Sequence, residues 1–358
     1  MSEPVKQVVA EKKLTRKDYQ SSNEPRWCAG CGDYAIFNAL TSVFAEKRIP
    51  NEEIAIISGI GCSSRFPYYA ETYGFHTLHG RAPTVALGLR LANPDLNIWV
   101  ITGDGDALSI GGNHFMHMMR RNPNMKVLIF NNRIYGLTKG QASPTTVYGS
   151  HTKSTPFGSI DIPINPVALA LAMGATFVAR CIDRDMKGLK EVMSAAQDHK
   201  GVAIIEVYQN CVIFNNGAFT DVADPKLKED ASILLKHGMP ILFGANQEFG
   251  VRTSSGHAEV IRIKDDRSNL HEVAVHNIYN PDPSIAFMLA QMESPLEPVP
   301  FGIFRQVSKP TYEEFAYNQE RKAKKMFGSP DIMHLLHDGD TWEVGEDGKT
   351  IRKTETEK

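Results

Sequence analysis

The chain has 358 residues, of which 42% are hydrophobic and 22% charged, and its formal net charge is −2. This is the composition of an ordinary globular protein, and a charge so near zero gives no electrostatic reason to expect nucleic acid or an anionic membrane as a partner. No apolar run is long enough to cross a bilayer, and the N-terminus lacks the apolar core of a signal peptide. We therefore expect a cytoplasmic protein, whose five cysteines are thiols, metal ligands or catalysts and not a disulfide frame.

Chain order indicates one main domain with shorter flanking segments. Residues 1–24 are polar and are expected to form an N-terminal arm. From 25 to about 220, strands buried on both faces alternate with helices, which predicts a doubly wound α/β domain with a mostly parallel sheet. The strands are predicted at 53–61, 97–105, 125–132, 175–181 and 201–208, and the helices at 83–92, 111–121, 166–173 and 186–198. A further helix is expected to begin after Gly32.

The composition changes after Cys211. Residues 221–292 are expected to form a small appendage, with a short helix over 226–237 and antiparallel strands in the alternating segments EVIRI and EVAVHNI. From 293 to 358 the chain is first rich in proline and then charged, so we expect a tail that wraps a neighbour or stays mobile.

The most informative stretch is 103–141, GDGDALSIGGNHFMHMMRRNPNMKVLIFNNRIYGLTKGQ. One predicted strand runs into Gly-Asp-Gly, and the next runs into Asn131-Asn132. Parallel strands place Asp104 and Asn132 at the same carboxyl edge of the sheet, where open α/β sheets bind ligands. A carboxylate, an amide oxygen and a backbone carbonyl, together with two phosphate oxygens and a water, satisfy an octahedral cation. The stretch therefore predicts a Mg²⁺–diphosphate site, although each motif alone is more often a simple turn.

This stretch resembles the Gly-Asp-Gly to Asn-Asn signature of thiamine-diphosphate enzymes. The resemblance implies that Asp104 and Asn132 are Mg²⁺ ligands and that the carbonyl of Ile134 is the third. It also implies a wider set of cofactor-binding residues: Gly103, Asp104, Gly105, Asp106, Asn132, Ile134, Gly136 and Leu137.

Four cysteines are expected to meet beside this site. Cys28-Ala-Gly-Cys31 brings two thiols within reach of one metal centre, but redox dithiols and zinc sites use the same spacing. Cys62 and Cys211 each follow a predicted buried strand and so lie at the carboxyl edge that carries the Asp-Asn pair. Cys181 belongs to no such motif and is expected in the core, because free cysteines are usually buried.

The whole arrangement resembles the β subunit of 2-oxoacid:ferredoxin oxidoreductases, which combine WCxGCG, a GCS loop and a distant fourth cysteine around one [4Fe–4S] cluster. The resemblance implies that the cluster ligands are Cys28, Cys31, Cys62 and Cys211. Structural zinc is the alternative, but a four-cysteine zinc site normally arrives as two close pairs and this chain has one.

Three further residues are expected to act on the substrate. Arg65 follows Cys62, His79 lies in HGRAPT, which resembles the cofactor-side loop of the family, and Lys139 follows the Asn pair. A 2-oxoacid needs a cationic partner for its carboxylate. The competing interpretation of each residue is a solvated loop charge or a structural hydrogen bond.

The resemblance implies reversible, coenzyme A-dependent oxidative decarboxylation of a 2-oxoacid, with electrons passed to ferredoxin. The segments EVYQNCVIFNNGAF and FGIFRQVSKPTYEEF resemble the 2-oxoglutarate members more than the pyruvate members. An α subunit is expected to supply the pyrimidine-side glutamate, giving an (αβ)₂ heterotetramer that is active only as a complex. The alternatives are an enzyme for pyruvate or another 2-oxoacid, a non-redox thiamine-diphosphate decarboxylase with structural zinc, and a plain electron-transfer protein.

Overall fold

The computed structural model describes residues 14–254, 256–339 and 341–353. The chain divides into two compact units between Tyr312 and Glu313. The strands of the first unit are β1 (Ile54–Ser58), β2 (Tyr73–His76), β3 (Asn97–Gly103), β4 (Lys126–Asn131), β5 (Phe177–Ile182), β6 (Ala203–Tyr208), β7 (Ser232–Leu234), β8 (Leu242–Phe243), β9 (Phe249–Ser254), β10 (His257–Arg262) and β11 (Val299–Gln306). Its helices are α1 (Asp33–Lys47), α2 (Phe66–Tyr69), α3 (Ala82–Ala92), α4 (Asp104–Leu108), α5 (Gly112–Arg121), α6 (Pro166–Ala172), α7 (Met186–Asp198), α8 (Thr220–Ala223), α9 (Lys228–Ala231) and α10 (Ser284–Ala290).

The described residues form a main sheet of eight strands in the order β2-β1-β3-β4-β6-β5-β11-β7. The first six strands in this order, which are β2, β1, β3, β4, β6 and β5, run parallel. β11 pairs antiparallel with β5. Two buried clusters cover the two faces: α1 and α7 contribute to one, and α3, α5 and α6 to the other. The predicted doubly wound, mostly parallel α/β fold is therefore confirmed.

The carboxyl ends of the central strands lie at the same level of the sheet. Ser58 pairs with Ile101, Gly103 with Phe130, and Asn131 with Tyr208. β4 and β6 are buried along their whole length, as continuous apolar runs require in a parallel sheet. The loops after β1, β3, β4 and β6 consequently open at one edge of the sheet.

Some elements differ from the sequence-based expectations. The helix expected over 226–237 is only Lys228–Ala231 and is followed by β7. EVIRI belongs largely to β10, which pairs with β9. EVAVHNI pairs irregularly, through a bridge between Val275 and Pro240 and backbone hydrogen bonds to Gly238, Met239, Ile241 and Val251. Within the expected N-terminal arm, Tyr19 is buried and its hydroxyl donates to the Ile49 carbonyl at 2.6 Å; residues 1–13 lie outside the described part. Within the expected tail, β11 lies inside the main sheet.

α11 (Tyr312–Phe327) begins at the division between the units. The second unit also contains α12 (Ile332–Leu336) and an antiparallel hairpin of β12 (Thr341–Val344) and β13 (Thr350–Lys353). No helix in the described ranges has both the length and the apolar character that crossing a bilayer requires.

His199 makes the stability of the fold depend on pH. It is buried between α7 and β6, and its Nε2 lies 2.9 Å from the Thr176 hydroxyl. Burial, with the nearby Lys126 ammonium, lowers the pKa of His199 from 6.5 to about 4. The unfolded chain therefore binds a proton that the folded chain excludes, and stability is lost as the pH falls from 6.5 towards 4.

We expect this histidine to remove roughly 2 kcal/mol from the free energy of unfolding between pH 7 and pH 5. The glutamine of the His199→Gln variant does not titrate. Between pH 7 and pH 5 this variant should therefore lose about 2 kcal/mol less of its free energy of unfolding than the wild type. Urea denaturation at both pH values measures the difference, and equal losses in the two proteins would contradict the assignment.

Candidate active site

Asp104 begins α4 directly after β3 and is buried. The hydroxyls of Ser143 and Thr145 each donate to its Oδ2 at 2.6 Å. Burial raises the pKa of Asp104 to about 6, despite these two donors. No side chain of the described residues donates to Oδ1, and the backbone N–H groups of Asp104 and Gly105 also interact with the carboxylate.

The two asparagines after β4 have different partners. Asn131 donates from Nδ2 to Glu206 Oε1 at 2.7 Å, and its Oδ1 lies 2.9 Å from the Thr145 hydroxyl. Thr145 therefore connects Asn131 to Asp104. Asn132 accepts from the backbone N–H of Ile134 at 3.2 Å and donates from Nδ2 to Gln209 Oε1 at 2.8 Å.

A buried ion pair supports Asn131 from behind. Arg180 Nε donates to Glu206 Oε2 at 2.7 Å, and both side chains are essentially inaccessible to solvent. The guanidinium also lies over the rings of Tyr208 and Phe304, at 5.2 and 5.7 Å from their centroids. The Asn131 amide is thus held by a charged partner in the interior of the sheet.

Asp106 ties two loops to the end of β3. Its Oδ1 accepts from the backbone N–H groups of Gly80 and Ile60, at 2.7 and 3.2 Å, and lies 2.5 Å from His79 Nδ1. Its Oδ2 accepts from the Thr102 hydroxyl at 2.7 Å. The sequence predicted this carboxylate among the cofactor-binding residues. In the structure both of its oxygens contact the protein, at the loops that follow β1 and β2 and at the end of β3.

His79 stands at the mouth of the site. Its side chain is 39% exposed, and because Nδ1 faces Asp106, Nε2 is the nitrogen available to a ligand. The ring packs edge-on against Tyr135, whose hydroxyl donates to the carbonyl of Gly105 at 3.1 Å. A Cβ on Gly105 would lie 2.2 Å from the Tyr135 ring, so only glycine fits there.

The four cysteines come together from three loops. A Cβ placed on Gly136 would lie 3.5 Å from Cys211 Sγ and 3.9 Å from Cys62 Sγ. Cys31 interacts electrostatically with both, and Cys62 interacts with Cys28. The Trp27 indole N–H donates to the Cys62 carbonyl at 2.7 Å and joins two of the loops.

The local environment keeps the Cys31 and Cys62 thiols protonated when no cation is bound. Burial, followed by the Asp33 charge, raises the pKa of Cys31 and raises that of Cys62 to about 11. Within the described ranges, no group of three or more His, Cys, Asp or Glu side chains is placed to bind a single metal ion. Cys181 lies apart in the core, where it is 5% exposed.

The remaining predicted residues occupy different places. Arg65 lies beside the cysteines, because its guanidinium interacts with Cys62 and Asp33 and donates to the Arg26 carbonyl at 3.1 Å. Lys139 is exposed with a φ of 76°, and Leu137 is 42% exposed. Neither has a contact that ties it to the Asp104 carboxylate.

Sequence reasoning missed the residues that orient the predicted ligands. They are Ser143, Thr145, Arg180, Glu206 and Gln209. Ser143 and Thr145 belong to a long irregular loop, and the others become neighbours only because β6 lies between β4 and β5. The one available signal was a charged residue in each of two runs predicted as buried strands.

The chain is similar to known proteins of one family. Residues 59–207 match the family described as thiamine pyrophosphate enzyme, C-terminal TPP binding domain. The 2-oxoglutarate oxidoreductase subunit KorB of Mycobacterium tuberculosis is 51% identical over 331 residues, covering 92% of this chain and 88% of that protein. The β subunit of 2-oxoacid:ferredoxin oxidoreductase 1 of Aeropyrum pernix is 48% identical over 190 residues, covering 53% and 60%.

A solved structure is similar along nearly the whole chain. The 2-oxoglutarate:ferredoxin oxidoreductase of Magnetococcus marinus, with 2-oxoglutarate, coenzyme A and succinyl-CoA bound, superposes with a TM-score of 0.71 at 32% identity, covering 91% of this chain and 95% of that one. The fold and the thiamine diphosphate-binding domain define an oxidoreductase subunit of the thiamine-dependent class. The chain belongs to the family of 2-oxoacid:ferredoxin oxidoreductase β subunits that includes the KorB proteins.

The Arg180–Glu206 pair gives a stability test. We expect Glu206→Ala to lower the free energy of unfolding by about 3–5 kcal/mol, because it leaves the guanidinium buried without its counter-ion. The double variant Arg180→Met with Glu206→Leu removes both charges and should recover most of that loss. Chemical denaturation of the wild type, Glu206→Ala and the double variant measures the three free energies of unfolding. A double variant no more stable than Glu206→Ala would refute the explanation.

Proposed function

We propose that this chain is the cofactor-binding β subunit of an enzyme that converts 2-oxoglutarate, coenzyme A and oxidised ferredoxin reversibly into succinyl-CoA, CO₂ and reduced ferredoxin. The observation that carries the proposal is the meeting, at one edge of one sheet, of the buried Asp104 carboxylate and the cysteine set. The KorB relatives and the Magnetococcus marinus structure support 2-oxoglutarate over pyruvate.

The oxygen donors fit a Mg²⁺–diphosphate. Asp104 is a buried carboxylate whose Oδ1 receives no side-chain donor, and burial raises its pKa, so a nearby cation would offset the cost of its charge. Asn132 and the carbonyl of Ile134 would complete the protein ligands to Mg²⁺. Gly103, Gly105, Gly136 and Leu137 would line the cofactor from the strand ends.

The sulfur donors fit an iron–sulfur cluster. Cys28, Cys31, Cys62 and Cys211 converge from three loops. A four-cysteine zinc site normally arrives as two close pairs, and this chain has one such pair, whereas the cysteines of a cluster bind separate irons. The high pKa of the Cys62 thiol also calls for a strongly cationic group to deprotonate it.

When bound, thiamine diphosphate supplies the nucleophilic carbon and electron sink for decarboxylation, and the cluster supplies one-electron transfer. Within this chain, His79 would present Nε2 to the substrate or to the cofactor, with its orientation fixed by Asp106. Arg65 would offset the negative charge of the cysteine ligands, and Lys139 would contact the substrate carboxylate from the exposed loop.

A partner subunit fits the surface of the chain. The loop between β4 and α6, anchored at Asp104 by Ser143 and Thr145, exposes large apolar side chains: Phe157 is 98% exposed, Ile160 84% and Ile162 78%. Such a patch indicates a protein interface. We propose that an α subunit covers this loop and supplies the glutamate that activates the cofactor, in an (αβ)₂ complex located in the cytoplasm. In this proposal the cofactor domain is residues 25–220 completed by β11, which joins its sheet, and 221–292 form an appendage.

The activity test is anaerobic co-purification of the chain with its partner subunit. The complex should be brown and reduce ferredoxin or a dye with 2-oxoglutarate and coenzyme A faster than with pyruvate. A colourless, zinc-containing complex that decarboxylates without reducing the acceptor would refute the proposal.

Two substitutions should separate the cofactors. Asp104→Ala should weaken Mg²⁺-dependent thiamine diphosphate binding by more than roughly 100-fold, because losing a direct ligand exceeds the effect of losing an outer-shell partner, and should retain the iron. Cys62→Ser should lose cluster iron and still bind the diphosphate. Calorimetry and iron analysis measure the two properties, with Asp95→Ala and Cys181→Ser as controls. Unchanged diphosphate binding in Asp104→Ala would refute the Mg²⁺ assignment.

The separated chain should have no turnover. Because we propose that the activating glutamate belongs to the partner, the purified β chain should decarboxylate no 2-oxoacid even when its cluster is intact. Adding the purified α subunit should restore activity in proportion to complex formation. Robust turnover by the monomeric β chain would contradict this division of the site.

A further inference from the structure

Gln209 stands between the two candidate cofactor sites. It follows β6 directly, and its backbone N–H donates to the Asn131 carbonyl at 2.9 Å, which extends the pairing of β6 with β4. Its side chain is buried. Oε1 accepts from Asn132 Nδ2 at 2.8 Å, and Nε2 donates to Cys31 Sγ at 3.3 Å and to the Asn210 carbonyl at 2.6 Å. One side-chain amide therefore touches a predicted Mg²⁺ ligand and a predicted cluster ligand.

The direction of this amide is fixed by its neighbours. Asn132 Oδ1 already accepts from the Ile134 N–H, so Asn132 turns its Nδ2 toward Gln209. Gln209 must meet that donor with its oxygen, and its Nε2 is then directed at the sulfur of Cys31. Reversing the amide would set two donors against each other and leave the sulfur without its hydrogen bond.

Gly32 lets the Gln209 side chain pack closely against the backbone of the cysteine loop. A Cβ on Gly32 would lie 3.0 Å from Gln209 Cγ and 2.0 Å from Asp183 Oδ2. Gly32, the last glycine of WCAGCG, therefore packs directly against the Gln209 side chain, and a larger residue there would displace it. Asp183 Oδ2 also accepts from the Asn210 N–H at 2.7 Å, which fixes the backbone after Gln209.

We propose that Gln209 is a positioning residue that acts on both cofactors at once. It holds the Asn132 amide with its oxygen toward the diphosphate site, and it donates an N–H···S hydrogen bond to Cys31. Such a bond stabilises the extra negative charge of a reduced cluster and so raises its reduction potential. This inference rests on the proposed function, because it requires Asn132 to bind Mg²⁺ and Cys31 to bind the cluster.

Two substitutions separate the two contacts. Gln209→Glu keeps an oxygen for Asn132 Nδ2 but has no N–H for Cys31, so the cluster potential should become more negative while Mg²⁺–thiamine diphosphate affinity stays near that of the wild type. Gln209→Leu removes both contacts, so the potential should also fall and the affinity should weaken roughly 2- to 10-fold, as expected for one lost hydrogen bond. The measurements are a redox titration followed by electron paramagnetic resonance and calorimetry with Mg²⁺–thiamine diphosphate, both on the anaerobic αβ complex.

Gln197 offers a matched control. It is half-buried on α7 and uses both ends of its amide, accepting from Trp99 Nε1 at 2.9 Å and donating to Asn97 at 2.6 Å, but at the amino end of β3. Gln197→Leu should leave the potential and the affinity unchanged. A potential in Gln209→Leu equal to that of the wild type would overturn the inference, as would equal shifts in Gln209→Leu and Gln197→Leu.

A measurement on the unsubstituted complex covers the case in which a variant loses its cluster. With glutamine side chains labelled with ¹⁵N, the reduced cluster should show hyperfine coupling to one ¹⁵N, because Gln209 is the glutamine in the described residues that donates to a cysteine sulfur. No ¹⁵N coupling would overturn the inference. A wild-type complex without iron and sulfide would instead refute the proposed function itself.

Discussion

The site depends on four parallel strands that end in step at one edge of the sheet. The pairs Ser58–Ile101, Gly103–Phe130 and Asn131–Tyr208 hold the ends of β1, β3, β4 and β6 level. Strands buried on both faces carry few polar side chains, so polar groups concentrate in the loops that leave this edge. Asp104 follows β3 and Asn132 follows β4, while Cys62 and Cys211 follow the outer strands β1 and β6. The level strand ends therefore bring these groups to one edge, and no long loop is needed to carry them there.

The buried carboxyl groups at this edge fall into two kinds. Asp106 uses both oxygens on protein donors and serves as a structural anchor for the surrounding loops. Asp104 receives side-chain donors on Oδ2 only, and among the described residues the Asp33 oxygens have no hydrogen-bond partner beyond the neighbouring Cys31 thiol. Burial raises the pKa of Asp104 to about 6 and that of Asp33 to about 7. A protein that buries carboxylates without a positive counter-charge gains stability when cations bind beside them. The proposed Mg²⁺–diphosphate and cluster would therefore also stabilise this edge of the sheet.

Much of this arrangement was predictable from the sequence, because its signals are local. β1, β3, β4, β5 and β6 are continuous runs of apolar, often β-branched residues, and the ligand candidates follow them immediately. β2 escaped prediction because it is an exposed edge strand, YGFH, with no buried run. β11 escaped because its segment begins Val-Pro and pairs with β5, more than a hundred residues earlier in the chain. Local sequence carries no information about such distant pairing.

The side chains that orient the ligands were hidden for the same reason. Glu206 supports Asn131 and Gln209 contacts Asn132 only because β6 pairs with β4, although β5 separates the two in sequence. Placing β6 there has a chemical consequence. Within six residues, this one strand and its loop supply the acceptor for the first asparagine, the amide for the second and, at Cys211, a sulfur for the neighbouring site. A shift of β6 by two residues along β4 would disturb the oxygen and sulfur sites together, so the register of this strand pair links the geometry of one to that of the other.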